Sequence, residues 1–184
     1  ADPSPHRKAF KGASVFINTA IPSFNLPIME LALAFKAHYA DLASDIYNQA
    51  ILQDHRFAQQ GLDEAFGQLG RFALINLGIS PGVTNFLIGE RMAHFERLPY
   101  KTRVKKIAIH LLEEIVAKEL VFSWAPHVAI DEISFAPVYF KSNEAKTMKP
   151  FAKSKPYTFP YFKAPVPLYP VFQEEIISLK QSCP

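Results

Sequence analysis

Cysteine is almost absent: of 184 residues only Cys183 is one. A disulfide within the chain and a cysteine-based metal site are thereby excluded. Such usage suits a reducing compartment, so a cytoplasmic location is expected. Glycine is scarce, at seven residues, and none forms a G-x-G-x-x-G loop, so the usual pyrophosphate cradle of a dinucleotide site is missing. No run of about 18 apolar residues occurs, which predicts no transmembrane helix and no membrane association. No basic n-region followed by an apolar h-region opens the chain. Charge of one sign is also thin. The net charge is +3, and its densest cluster is Lys101, Arg103, Lys105 and Lys106. Nucleic-acid binders concentrate more charge on one face, so no nucleic-acid partner is expected. The histidines (His6, His38, His55, His94, His110, His127) include no HExxH or similar spacing, so no metal site is predicted.

What is present is an ordinary globular composition, 49% hydrophobic and 20% charged, sufficient for a core. Residues 1–13 read as a loop. Val15-Phe16-Ile17-Asn18 reads as a buried strand. Asn25 is expected to cap the next helix, with Pro27 in its first turn. Ile28, Leu31, Ala32 and Phe35 form its apolar stripe. A second strand is predicted over 38–42, a mostly helical stretch over 46–69, and a third strand over 72–77. A helix opens at Pro81-Gly82 and runs to about Leu98. Strand–helix alternation of this kind implies a parallel sheet covered by helices.

The pattern changes near residue 100. Val104 to Leu112 predicts a longer strand with Ile107, Ile109 and Leu111 on one face, and His110 as a packed core histidine. Residues 113–120 are helix or loop. A short helix is expected from Pro126 through Asp131 and Glu132, then a hairpin around Asn143-Glu144. Seven of the fifteen prolines lie from Pro137 to Pro170, which excludes central strands and long helices there. The fold class is therefore α/β: residues 1–100 as the C-terminal half of a Rossmann-type parallel sheet, and residues 101–184 as a mixed α+β, largely antiparallel substrate or dimerisation domain.

Parallel sheets bind ligands at the carboxyl ends of their strands. Three strand ends are suggestive: Asn18-Thr19-Ala20-Ile21-Pro22, Asp41-Leu42-Ala43-Ser44-Asp45, and Gly78-Ile79-Ser80-Pro81-Gly82-Val83-Thr84-Asn85. In the third, Gly78 permits a tight exit, Gly82 lets a ligand approach the backbone, and the helix behind offers free N–H groups. A plain strand-to-helix turn accounts for the same residues equally well.

In this order and at these separations, the three strand ends resemble the saccharopine dehydrogenase and lysine 6-dehydrogenase group, with the carboxynorspermidine synthases as relatives. The group's Asn-Ala-x-Pro, Tyr-x-Asp-Leu and Gly-x-x-Pro-Gly-x-x-Asn segments correspond to Asn18–Pro22, Tyr39–Leu42 and Gly78–Asn85. Ser123-Trp124-Ala125-Pro126 and Asp131-Glu132 resemble the start of its substrate domain. The resemblance spans about residues 15–140 and lacks the group's opening Gly-rich loop.

It implies an oxidoreductase that uses NAD or NADP for hydride transfer at a C–N centre of an amino acid or polyamine precursor. Asn18, Thr19, Ala20, Ile21, Pro22, Leu42, Ser44, Gly78, Pro81 and Gly82 would line the cofactor. Asp41, Asp45, Asn85 and Trp124 would face a small-molecule substrate. A homodimer is expected. From the residues alone, Asp41 serves equally as a cap or loop carboxylate, and Trp124 as a core residue. The alternative function is a non-catalytic dinucleotide-fold remnant used for dimerisation or partner binding.

Overall fold

The alternation of buried and exposed side chains in strand β1 (Val15–Asn18) sets the frame: Phe16 and Asn18 point inward, while Val15 and Ile17 are exposed. The computed structural model describes residues 4–6, 8–44, 56–100, 103–152 and 155–182. The helical pattern expected over 46–55, together with Asp45, His55, Lys101 and Cys183, lies outside the described residues.

Helix α1 (Asn25–Ala34) turns Met29 and Ala32 onto the inward face of β1, and Pro27 sits early in the helix, where a missing N–H costs nothing. Asn25 does not cap it. Phe24 occupies the cap position, and the Asn25 side chain is buried in tertiary hydrogen bonds instead. Strand β2 (His38–Asp41) runs parallel to β1 with Asn18 opposite Asp41. The core is Phe16, Met29, Ala32, Ala37, Tyr39 and Phe66. Burial of a side chain the size of Met29 or Phe66 contributes about 1.5–3 kcal/mol.

Helix α2 (Asp63–Gln68) brings in Phe66 and follows a 3-10 turn over Ala58–Leu62. Strand β3 (Ala73–Leu74) pairs parallel with β2, giving a three-stranded sheet in the order β1-β2-β3. The strand expected over 72–77 is thus cut to two residues. The cause is Asn76, whose φ of 63° is left-handed and whose N–H goes to the Asp41 side chain rather than to a ladder carbonyl. Helix α3 (Val83–Glu96) starts at Gly82, as the Pro-Gly pair predicts.

In the second half, helix α4 (Pro126–Ser134) has proline at its first position, and strands β4 (Val138–Lys141) and β5 (Glu144–Thr147) form an antiparallel hairpin. Its turn residues Ser142 and Asn143 both have positive φ, at 52° and 67°, the geometry that two-residue hairpin loops require. The strand expected over 104–112 does not form. The apolar alternation is present, but no described strand pairs with it, and Val116 and Leu120 further along are 95% and 87% exposed. His110 is therefore not in the core; it is exposed and makes an edge contact with Tyr157 at 4.4 Å. Beyond the hairpin, antiparallel pairing among the described residues is limited to one bridge, Tyr157 with Val166.

Helix α5 (Glu175–Ser182) was not signalled by the sequence. It packs against α3 and β4, and its Ile177 meets Phe57 in a second small core. Among the described residues no helix is long and apolar enough to cross a membrane.

Candidate functional site

The parallel register places the ends of β1, β2 and β3 together. Asn18 lies opposite Asp41, and the Leu77 N–H donates to the Asp41 carbonyl at 2.9 Å. Gly78 follows at once, and a Cβ there would stand 2.6 Å from the Leu42 carbonyl oxygen. Asn18, Asp41 and Gly78 therefore share one end of the sheet.

Asn18 is an organiser of this end. Its Nδ2 donates to Asn25 Oδ1 at 2.6 Å, and its Oδ1 accepts the Ala20 N–H at 2.9 Å, which shapes the Thr19–Pro22 turn. Asn25 in turn donates to the Ala43 carbonyl and accepts from the Tyr39 hydroxyl. Thr19 and Ala20 are exposed on the rim, while Ile21 and Pro22 are half-buried.

Asp41 is 1% exposed, and both its oxygens are engaged. Oδ1 accepts the Asn76 N–H at 2.8 Å, and Oδ2 accepts Gln59 Nε2 at 2.9 Å. Burial pushes its carboxyl above the usual range, and these hydrogen bonds oppose the rise. Burial, then the nearby Asp41 charge, raises the Tyr39 phenol as well. Held on both oxygens by protein donors, Asp41 braces the ends of β2 and β3. Ser44, also buried, donates its hydroxyl to Asn76 Oδ1 at 2.7 Å. Leu42 is exposed.

The Gly78–Gly82 turn closes on itself. Gly82 has a φ of 131°, and a Cβ there would meet the Gly78 carbonyl oxygen at 2.1 Å. Only glycine fits. The Ser80–Pro81 peptide is cis, and Pro81 is buried. Asn85 accepts the Gly82 N–H at 3.1 Å and donates to Ser178 Oγ at 2.8 Å, so it ties the turn to α5.

Sequence reasoning missed the carboxylates at the start of α5, Glu174 and Glu175. Glu175 Oε1 accepts from both Ser80 and Thr84, while its Oε2 is buried without a hydrogen-bond partner. Burial lifts Glu174 to about 8, helped by the charges of Glu175 and Glu132. Glu132 is lifted to about 7, again chiefly by burial, with Glu175 adding to the rise. Nothing in the Glu174-Glu175 dipeptide marks it locally; the only signal was two acids directly ahead of Ile176-Ile177. Among the described residues no group of three His, Cys, Asp or Glu side chains could hold a metal ion.

Between the exit of β3, the start of α3 and helix α5 lies a groove of about 470 Å³. Phe57, Ile75, Leu77 and Phe86 supply apolar walls, with Asn76 and Asn85 among the polar groups; no lining residue is charged. Gly78, Gly82 and Asn85 thus border a cavity. The Asn18–Pro22 turn and Trp124, which is 48% exposed on the approach to α4, are not part of its lining.

No family model matches the chain. Over 175 residues, 94% of the chain, it is 24% identical to carboxyaminopropylagmatine dehydrogenase of Synechocystis sp., and it spans 42% of the length of that relative.

Proposed function

We propose that this chain contributes the strand-end half of a nicotinamide-dependent oxidoreductase of the saccharopine dehydrogenase type, acting at a C–N centre of an amino acid or polyamine precursor. The observation that carries the reading is the convergence of Asn18, Asp41 and the Gly78–Gly82 turn at the carboxyl end of one parallel sheet, the place where open α/β sheets bind ligands. The similarity to a protein named a dehydrogenase supports it.

The residues present fit one end of NAD or NADP. The uncharged groove beside Gly78 and Gly82 suits a neutral aromatic ring, whereas no G-x-G-x-x-G loop occurs in this sequence to hold a pyrophosphate. When bound, the nicotinamide supplies hydride transfer. The chain's own part is to position the ring and exclude water. On this reading a boundary near residue 100 would set this half apart from a substrate domain; α5 packs against both α3 and β4.

The test is spectrophotometric assay of the natural protein that carries this sequence, with amino acids and polyamine precursors as donors. Amine-dependent reduction of NAD or NADP is expected. Failure with every donor and both cofactors refutes the reading.

A second reading, a non-catalytic dimerisation or partner module, draws on the apolar side chains of residues 104–122. Val116 and Leu120 there are almost wholly exposed, and large exposed apolar patches mark interaction sites. A homodimer seen by sedimentation, with no turnover, would favour it.

A further inference from the structure

We propose that helix α5 is a proton-linked latch over the groove: it stays docked while Glu132 and Glu174 hold protons beside Glu175, and it lifts away when they ionise. The inference concerns access to the groove and does not depend on which ligand the groove takes.

The moving part is short and lightly fastened. α5 has eight residues, too few for a helix that persists by itself in water. It supplies Ser178, Gln181 and Ser182 to one wall of the groove. Its apolar anchor is small: Ile177 is buried on Phe57, with Ile75, Phe140 and Ile176 packed around the pair. The rest of the joint is polar. Asn85 donates to Ser178 Oγ, Gln60 pairs with Gln181 at the surface, and Ser80 and Thr84 donate to Glu175.

Docking buries acid at the start of this helix. Glu174 and Glu175 are 3% and 1% exposed. Glu132 of α4 is half-buried near them, with its carbonyl accepting the Phe172 N–H at 3.1 Å. The groups that face these carboxyls bring no positive charge. The Gly78–Gly82 turn and the first turn of α3 present the Ser80 and Thr84 hydroxyls, the loop after β2 presents the Ser44 backbone, and the chain ahead of α5 presents Gln173. Asp131, next to Glu132 in α4, and Asp41, behind Asn76 and Ser44, are further acids. Cations stand elsewhere. Lys141 is exposed at the end of β4, Lys180 lies in the last turn of α5, and His127 is exposed at the start of α4. Tyr139 of β4 adds no positive charge, and the charged residues of α3, Glu90, Arg91, His94 and Glu96, are exposed farther along that helix.

Several carboxylates withdrawn from water without a counter-charge cost more than carboxyls that keep their protons. Glu175 holds the two hydroxyl donors, so Glu132 and Glu174 are the members left to carry protons. Burial, with the neighbouring acids adding to it, lifts Glu174 to about 8 and Glu132 to about 7. With α5 undocked, Glu174 returns to water and Glu132 loses its cover, and both move toward the ordinary 4.5. A docked value above the undocked one means that docking takes up protons. That contribution is complete below about pH 4.5 and is lost as pH rises through about 7 and 8. The main core under α1 contains none of these groups, so the sheet and α1 hold while α5 lifts.

The experiment is residue-resolved hydrogen exchange of the whole chain at about pH 5.5 and about pH 8, corrected for the base-catalysed rise in intrinsic exchange. Between the two, the helical amides of α5 are expected to lose at least about tenfold in protection, and those of α1 less than about threefold. Equal losses in α5 and α1 would mean that the carboxyls act on the whole fold, which overturns the latch. Protection of α5 that is constant or rises with pH overturns it as well. Glu174→Gln puts the neutral shape of the protonated acid in place permanently and should abolish most of the α5 loss. Should that variant fail to fold, Glu132→Gln, at a half-buried position, should shrink the loss at least about threefold. A folded variant that keeps the full pH response of α5 overturns the role of the cluster.

Discussion

Asn76 donates its backbone N–H to Asp41 Oδ1 at 2.8 Å across 35 residues of sequence. The bond joins the ends of β2 and β3 just beyond the point where their ladder stops, and it fixes the direction in which the chain leaves the sheet toward Gly78. Asp41→Ala leaves two buried donors, Asn76 N–H and Gln59 Nε2, without an acceptor. A stability loss of about 2–4 kcal/mol is expected, measured by denaturant unfolding. A loss under about 0.5 kcal/mol, the range of ordinary surface changes, would show that the bracing is illusory.

Gly82 and Gly89 should respond to alanine in opposite senses. Gly82→Ala forces a Cβ to 2.1 Å from the Gly78 carbonyl oxygen at a φ of 131°, and a cost of at least about 2–3 kcal/mol or failure to fold is expected. Gly89 lies within α3 with open space where a Cβ would be. Gly89→Ala should raise stability by about 0.5–1 kcal/mol. Thermal melts of the two variants read opposite signs, and equal effects would contradict the turn geometry.

Stability should fall from mildly acidic to alkaline pH. Glu132 and Glu174 are lifted to about 7 and about 8 from an ordinary value of 4.5. A folded-state pKa above the unfolded one means that the native state holds its protons more tightly. That contribution is complete below the unfolded value and is lost as pH rises through the folded one. The window here is therefore about pH 4.5 to 8, set by these two groups. At about 1.4 kcal/mol per pH unit the two rises correspond to a loss of at most about 8 kcal/mol, reduced where solvent screens the partly exposed Glu132. Denaturation midpoints at the two ends of the window measure it, and Glu174→Gln should flatten the slope. A midpoint that rises with pH would refute the assignment.

Dinucleotide affinity of the isolated chain should be poor. On the proposed reading the groove takes the nicotinamide end alone, and few contacts remain to offset the ordering of a long, flexible ligand. Calorimetric titration with NAD and NADP is expected to show binding weaker than about 100 μM. A dissociation constant near 1 μM, worth about 8 kcal/mol, would mean that the chain holds the pyrophosphate by residues not placed at the site.

The sheet and the turn at its end were legible in the sequence because their signals are local. Val15–Asn18 and His38–Asp41 announced themselves by short apolar runs, α3 by Pro81-Gly82, and the hairpin by Asn143. The segment over 104–112 misled because alternation reports which faces are apolar and not whether a neighbouring strand exists to pair with. Asn25 looked like a cap because caps and buried polar hubs draw on the same residue types. Asn76 was hidden inside an apolar stretch that reads as strand, and Glu174-Glu175 reach the strand ends only through tertiary docking of α5. What escaped was in each case a partner far away along the chain.

The closure of the groove by α5 sets a condition on how the chain folds. Gln60 pairs with Gln181 across 121 residues, and Ser80 with Glu175 across 95. Contacts so distant in sequence pay their loop entropy before they return anything. During synthesis the β-α half can collapse as soon as Phe66 and Ala73 have emerged, yet Phe57 and Ile75 stay uncovered until Ile176 and Ile177 arrive. The nascent chain therefore passes through a stage with a formed sheet and an open apolar flank, and the groove exists only once α5 has docked.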